Sequence, residues 1–334
     1  MTTPLREALM ARMDAKTKPL GALGRLEDLA IQLGLILGTE HPRLHEPQMV
    51  VFAGDHGLAS HGVSAYPSDV TWQMVENFLA GGAAVSVLAR LHGLALTIVD
   101  CGVAHEFGPR PGLIDHKVAP GTADSRTGPA MTEDQCAAAI AAGADVVRSL
   151  PGNVLLLGEM GIGNTSAAAL LMARLTGRDI ASCTGSGTGL DATGIARKTA
   201  ILQDVLDRHA DAQAPMEALA AMGGFEIAAM VGAVREAARQ RRVVVVDGFI
   251  ATAAVRVAVA LDPAVKDTCV YAHASGERGH AVLLAEMEVR PLLDLGMRLG
   301  EGSGAAVAWP LLLAATCLLD EMATFASAGV SERT

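Results

Sequence analysis

Residues Asn153–Thr165 read NVLLLGEMGIGNT and run straight into SAAALLMARL, Ser166–Leu175. Four apolar residues are followed by a glycine-rich turn and then by an Ala/Leu-rich stretch with helical spacing. The pattern predicts a buried strand, a tight turn and a helix. Free backbone N–H groups at that helix start, at the positive end of the helix dipole, suit an anion such as phosphate. The segment is not a Walker A loop, because no Lys precedes Thr165. Gly161 and Gly163 also lack the third glycine of a dinucleotide fingerprint. The same residues would serve a plain strand–helix connection with Asn164 or Thr165 as N-cap, and both readings stand at this point. Glu159 weighs toward a ligand site. An acid beside a phosphate cradle repels the anion unless it faces another part of the ligand.

The same grammar recurs along the chain. Met49–Phe52, Leu96–Val99, Val243–Val246 and Cys269–Tyr271 are further short apolar runs. They end in AGDHG, DCGV, VDGF and AHAS. Ile195–His209, Met216–Glu236 and Ala251–Leu261 carry helical spacing between them. Alternating strands and helices predict an α/β fold, a Rossmann-like, mostly parallel sheet covered on both faces. Ligands of such sheets bind beyond the carboxyl ends of the strands, where the unusual residues of this sequence collect. No repeat, Ser/Pro-rich linker or charge block divides the chain. Residues 1–45 and 290–334 are expected to pair as a small helical subdomain on an α/β core of 46–289.

Composition removes several classes of function. The 334 residues carry 26 Lys+Arg against 36 Asp+Glu, a net charge of −10, and only 3% are aromatic. A nucleic-acid binder needs a basic face or stacking rings, so neither substrate nor partner is expected to be nucleic acid. Mean hydropathy is +0.34, but it comes from Ala, Val and Leu spread through the chain. Trp309–Leu319 is short of the ~20 apolar residues of a membrane span, and Arg256 interrupts Phe249–Leu261. No membrane span is expected, and MTTPLREALMARMDAK has no apolar stretch of the kind a secretory signal carries. Five scattered cysteines without a CxxC predict neither a zinc site nor a disulfide framework, and fit a reducing cytoplasm.

Four further segments carry candidate chemistry. TGSGTGLD (Thr184–Asp191) precedes a helix bearing Arg197 and Lys198, and reads equally as a second anion nest or a flexible loop. VVVVDGF (Val243–Phe249) invites comparison with the diphosphate-sugar loop of ordinary phosphoribosyltransferases. That loop has two acids and a Thr/Gly-rich turn, whereas Asp247 stands alone, so the case for a magnesium-held diphosphate falls. Asp247 is then placed to bind a ribose hydroxyl or to cap a helix. His56 and His61, in GDHGLASHG, lack the helical HExxH spacing of zinc ligands and are expected to be loop histidines near a ligand. Glu301 lies between two glycines in PLLDLGMRLGEGSGAA (Pro291–Ala306). Apolar surroundings raise a carboxyl pKa, which makes Glu301 a candidate base, with a solvated loop acid as the plain alternative.

Taken together, KPLGALGRLE (Lys18–Glu27), FAGDHGLASHGVSAYPSDVTWQMVENFLAGGAAVSVLAR (Phe52–Arg90), GEMGIGNTSAAA (Gly158–Ala169), GSGTGLDATGIARK (Gly185–Lys198), VVVDGFIATAA (Val244–Ala254) and PLLDLGMRLGEGSGAA resemble one family in order and over nearly the whole chain. This is the nicotinate-nucleotide–dimethylbenzimidazole phosphoribosyltransferase family, which makes the lower-ligand nucleotide of cobalamin. The resemblance implies a homodimer that moves phosphoribose from nicotinate mononucleotide to dimethylbenzimidazole. The products are α-ribazole phosphate and nicotinate, with inversion at the anomeric carbon. The pyridinium leaving group is already activated, so no metal and no cofactor are expected.

By position, the resemblance makes Glu301 the general base and puts Ser64 in the base-pocket segment. It sets Glu159, Gly161, Gly163 and Lys198 around ribose phosphate and nicotinate, with Asn164 in the same motif. Gly187, Asp247 and Ser275 are weaker matches of that kind. Leu20, Ala22, Ser186 and the run Tyr271–His280 depart from the family's usual residues, which bears on the surroundings of nicotinate and phosphate. The same chemistry on adenine, another benzimidazole or a phenol, and a non-catalytic nucleotide sensor, are the alternatives. A sensor has no need of a base at Glu301. A dinucleotide-dependent oxidoreductase would need the GxGxxG that is missing.

Overall fold

The computed structural model describes residues 3–331. Six strands form one sheet: β1 (Gln48–Gly54), β2 (Ala95–Gly102), β3 (Leu113–Asp115), β4 (Val154–Met160), β5 (Val243–Val246) and β6 (Cys269–Tyr271). Their order is β3-β2-β1-β4-β5-β6 and every pairing is parallel. This is the doubly wound order, whose topological switch lies between β1 and β4.

The strands are buried on both faces, which is why they read as continuous apolar runs. Val50, Phe52, Leu155, Leu157, Val244 and Val246 face one core, shared with the helices Glu133–Ser149, Asn164–Thr176, Phe225–Arg239 and Phe249–Leu261. Met49, Val51, Leu156, Val243 and Val245 face the other, shared with Arg25–Leu37, Val70–Ala80, Ala84–His92 and Ser303–Glu321. The period-two alternation thus feeds two separate cores from each strand.

Two expectations are adjusted. Met216–Glu236 is two helices, Pro215–Met222 and Phe225–Arg239, because Gly223 and Gly224 are extended and break the pattern. β3 escapes sequence reading because it has three residues, none of them buried, and exists only by pairing with β2. Helix Ser303–Glu321 is long and apolar enough to cross a membrane by length and composition. Its Ala305, Ala308, Leu312, Ala315 and Leu319 are all buried against the sheet and helix Arg25–Leu37, as in a core helix. The other stretch of that kind, Val70–His92, is broken at Gly81 into two helices.

Helices from both termini meet: Arg25–Leu37 packs on Ser303–Glu321, and Lys16 bridges Thr324. Residues 290–302 run differently. They follow the open edge of β6, where Leu292 N–H donates to Tyr271 O and Leu293 N–H to Ala272 O, each at 3.0 Å. This course delivers Arg298–Glu301 to the carboxyl end of the sheet.

Candidate active site

A cleft of about 620 Å³ opens beyond the carboxyl ends of β4, β5 and β6. From β4 and its turn come Glu159, Gly161, Asn164 and Thr165. Gly187 and Thr188 come from the glycine cluster, Phe249 from after β5, Ser275 and Glu277 from after β6, and Arg298 to Glu301 from the returning segment. Val70, Met74 and Ile162 supply apolar wall, with Tyr66 at the mouth.

The β4 turn resolves the choice of cap. Gly163 is the N-cap, at φ 101°, with no side-chain cap. Asn164 instead turns its amide to the Glu159 carboxyl, and Thr165 Oγ1 accepts from Lys198 Nζ at 2.9 Å. No side chain caps this helix; Asn164 N–H donates to Gly161 O at 3.0 Å and Ser166 N–H to Gly163 O at 2.9 Å, so what the turn offers an anion is chiefly the positive end of the helix dipole. Lys198 is fully buried beneath this point. Burial lowers its ammonium to about 8, opposed by Glu277. Asp191 caps the helix Ala192–Arg208 that carries Lys198, accepting from Gly194 N–H at 2.8 Å.

Glu301 sits in a turn that needs its neighbours to be glycine. Gly300, Glu301 and Gly302 have φ of 81°, 63° and 85°, three left-handed residues in succession. A side chain on Gly300 would meet Glu159 Oε1 at 2.6 Å, and one on Gly158 of β4 would meet Glu301 O at 2.5 Å. Glu301 itself is 7% exposed and its Oε2 has no hydrogen-bond partner. Burial raises its carboxyl to about 7, the Val85 backbone N–H opposes this, and Asp247 adds to it. Glu159 is pushed further, to about 8, by burial and then by the charges of Asp247 and Glu226. Burial thus raises both acids into the neutral range, and their mutual repulsion disfavours ionising both at once.

Compared with known proteins, residues 1–330 match the family model described as "Phosphoribosyltransferase". A Variovorax paradoxus protein named nicotinate-nucleotide–dimethylbenzimidazole phosphoribosyltransferase is 66% identical, over 98% of this chain and 94% of its own. One of the same name from Cupriavidus necator is 59% identical, over 98% and 95%. The chain belongs to this phosphoribosyltransferase family. The crystal structure of CobT from Thermus thermophilus superposes with a TM-score of 0.95 at 41% identity, over 99% of this chain and all of that one.

Within the family frame, the cleft gathers Glu301, Glu159, Gly161, Asn164, Gly187 and Ser275 directly. Ser64, Gly163 and Lys198 stand one layer back. Ser64 Oγ shares a hydrogen bond with Thr188 Oγ1 at 2.9 Å, and Ala65 N–H donates to the same oxygen at 3.0 Å. Asp247, expected at the ribose, does not line the cleft. It is 1% exposed, and its two oxygens accept from Gly302 N–H at 3.2 Å and Ala305 N–H at 2.9 Å. It caps a helix that begins 56 residues downstream rather than its own. His56 lies in the loop after β1, as expected. It is buried, with Nε2 2.7 Å from Glu226 Oε1, while His61 pairs with Asp124 at 2.8 Å. Among the described residues no group of His, Cys, Asp and Glu could hold a metal ion. Lys18 and Glu27, in the first family motif, pair with each other at 2.9 Å, and none of that motif lines the cleft.

Two residues were missed by sequence reading. Glu277 is 6% exposed, lines the cleft, and neither carboxyl oxygen has a partner. Burial raises its carboxyl, with Lys198 opposing. Arg298 also lines the cleft, donating weakly to Gly187 O at 3.4 Å. An acid after Gly276 was the only signal for Glu277, of the same kind that marked Glu301.

Proposed function

We propose that this phosphoribosyltransferase transfers phosphoribose from nicotinate mononucleotide to dimethylbenzimidazole, releasing α-ribazole 5′-phosphate and nicotinate. The observation that carries the reading is Glu301: buried, unpartnered at Oε2, and near half-ionised at neutral pH. One benzimidazole nitrogen attacks the anomeric carbon. The bond from that carbon to the pyridinium nitrogen breaks, and its electron pair neutralises the leaving ring. The proton on the other benzimidazole nitrogen passes to Glu301. Attack from the face opposite the leaving group turns a β nucleotide into an α product.

The cleft offers each substrate part a counterpart. The helix start after Gly163, with the Lys198 ammonium below, suits the phosphate through its dipole and a charge-assisted hydrogen bond. Val70, Met74 and Ile162 suit an apolar planar ring. We also read the enzyme as a cytoplasmic homodimer, and residues 1–45 with 290–334 as its smaller lobe. All five cysteines are free and four are buried, which supports a reducing compartment. The packing of the terminal helices on each other supports the lobe.

The test is to incubate purified protein with nicotinate mononucleotide and a panel of dimethylbenzimidazole, other benzimidazoles, adenine and phenols, and to weigh the products. A ribazole phosphate formed fastest from dimethylbenzimidazole is expected. Faster transfer to another acceptor would move the assignment to that acceptor, and no product from any acceptor would overturn it in favour of a nucleotide sensor.

A further inference from the structure

Asp247 ends β5 in a setting that its sequence neighbours do not explain. Its carboxylate is buried without a lysine or arginine partner; the nearest basic atom is His273 Nε2, 3.5 Å away. Neither ring nitrogen of His273 hydrogen-bonds to anything. A buried carboxylate is costly unless its lone pairs are satisfied. Here they are satisfied by backbone N–H groups of one segment only, Gly302 and Ala305. Gly302 directly follows Glu301 and closes the left-handed run, and Ala305 lies in the first turn of the helix that begins there. Left-handed backbone is unfavourable for a residue with a side chain, and Glu301 adopts it at φ 63°. Something must hold it there, and the Asp247 carboxylate grips the two N–H groups that fix the exit of the turn.

We propose that Asp247 is a positioning residue for the reaction: its carboxylate clamps the Gly300–Gly302 turn so that Glu301 faces the cleft. This rests on the reading of Glu301 as the base. It replaces a ribose contact for Asp247 with a role exerted through another residue.

The charged groups around Glu301 agree with this. Glu159 faces it from the end of β4 and Asp247 from the end of β5. The Val85 N–H faces it from the start of helix Ala84–His92. Arg298 on the same segment and Glu277 from after β6 line the same cleft, and His273 meets Asp247. Asp247, Glu159 and Glu277 are the acids in this set, and a like charge disfavours the ionised form. Removing the Asp247 charge should therefore make Glu301 easier to ionise, while loosening its turn should make it a poorer base.

The test has two arms on the full chain. In the first, glutamate is ¹³C-labelled, and the Glu301 carboxyl signal, assigned by its loss in Glu301→Gln, is titrated without substrate. Asp247→Asn should lower that midpoint by about half a pH unit or more. In the second, Asp247→Asn should lower kcat by about 10²-fold, as misplacement of a catalytic group does, with KM for nicotinate mononucleotide little changed. In a Glu301→Gln background the same substitution should cost less than about threefold further, because both changes disable one unit.

An unmoved Glu301 midpoint would overturn the proposal. So would a raised KM with kcat retained, or losses that multiply fully in the double variant; the last two would return Asp247 to the ribose. If Asp247→Asn does not fold, Asp247→Ser carries both arms with the same criteria. The titration needs no substrate. A protein inactive on every acceptor would thus refute the proposed reaction, while the midpoint still shows whether Asp247 and Glu301 are coupled.

Discussion

Glu236 and Glu301 expose little surface, 5% and 7%, at opposite ends of the sheet, but Glu301 lies deeper: desolvation leads for its carboxyl, whereas for Glu236 it ranks second to hydrogen bonds from Arg239. Glu236 lies near the amino end, on the helix that leads into β5. Arg239 Nη2 and Gln240 Nε2 each reach its Oε1 at 2.6 Å, and Arg148 approaches at 3.4 Å. Hydrogen bonds from Arg239 hold its carboxyl down at about 2. Glu301, at the carboxyl end, keeps one oxygen without a partner and is raised to about 7. Depth and partners decide together: a guanidinium near the surface fixes the charge for the fold, and a deeper site that withholds one leaves a group whose charge can change during a reaction.

The largest effect that sharpens this contrast is on turnover. Glu301→Gln should lower kcat by about 10²–10⁴-fold, the range of a general base. KM should change little, because Gln is nearly isosteric. Steady-state kinetics with dimethylbenzimidazole at neutral pH measures it, and unchanged kcat would place the base elsewhere.

Lys198→Ala should act next most strongly, on the substrate's phosphate. A lost hydrogen bond to a charged group costs ~1.5–3 kcal/mol, so KM for nicotinate mononucleotide should rise about 10–100-fold with kcat less affected. The wild-type kcat/KM should also decline as pH rises past about 8, where Lys198 loses its proton. A variant with unchanged KM would return Lys198 to a packing role under Thr165.

Melting temperatures break the comparison from the other side. Glu236 has a depressed folded pKa, so its contribution is full above its ordinary value of 4.5 and lost as pH falls toward about 2. Glu236→Gln should melt a few degrees lower at pH 7, and the gap should close on acidification. Glu301 has a raised folded pKa, so its ionisation opposes folding increasingly from 4.5 up to about 7. Glu301→Gln should therefore melt slightly higher than wild type at pH 8 and the same at pH 4, the trade of stability against function expected at a site. Opposite signs for the two variants at pH 8, in one calorimetric series, are the expected result.

The smallest effect is none. Both Asp247 oxygens are taken by backbone N–H groups. Turnover should therefore be unchanged after EDTA treatment; loss on chelation restored by magnesium would contradict this.

Much of the frame is legible in the sequence because it rests on local pattern. The stretch around Gly158 gives strand, turn and helix together, and five of six strands announce themselves as apolar runs. β3 does not, since its stability comes from β2 and not from its own residues. Glu301 is legible because glycines bracket an acid in apolar sequence. The roles of Asp247 and His56 are not. Each depends on a partner far along the chain, Gly302 and Glu226, and no local spacing encodes which backbone or carboxyl a strand end will meet. Glu277 and Arg298 are hidden for the same reason: the loop after β6 brings Glu277 to the cleft, and the run of 290–302 along β6 brings Arg298.

The most direct measurement is the pH dependence of the single-turnover rate, with enzyme in excess over nicotinate mononucleotide and dimethylbenzimidazole saturating. The wild-type rate should rise through a midpoint near 7, the value burial gives Glu301, after correction for ionisation of the acceptor itself. The Glu301→Gln rate should be low and flat across the same range. A wild-type midpoint at the ordinary carboxylate value of 4.5, or the same rising limb surviving in Glu301→Gln, would contradict the claim that an unpartnered glutamate at the carboxyl end of the sheet is the base.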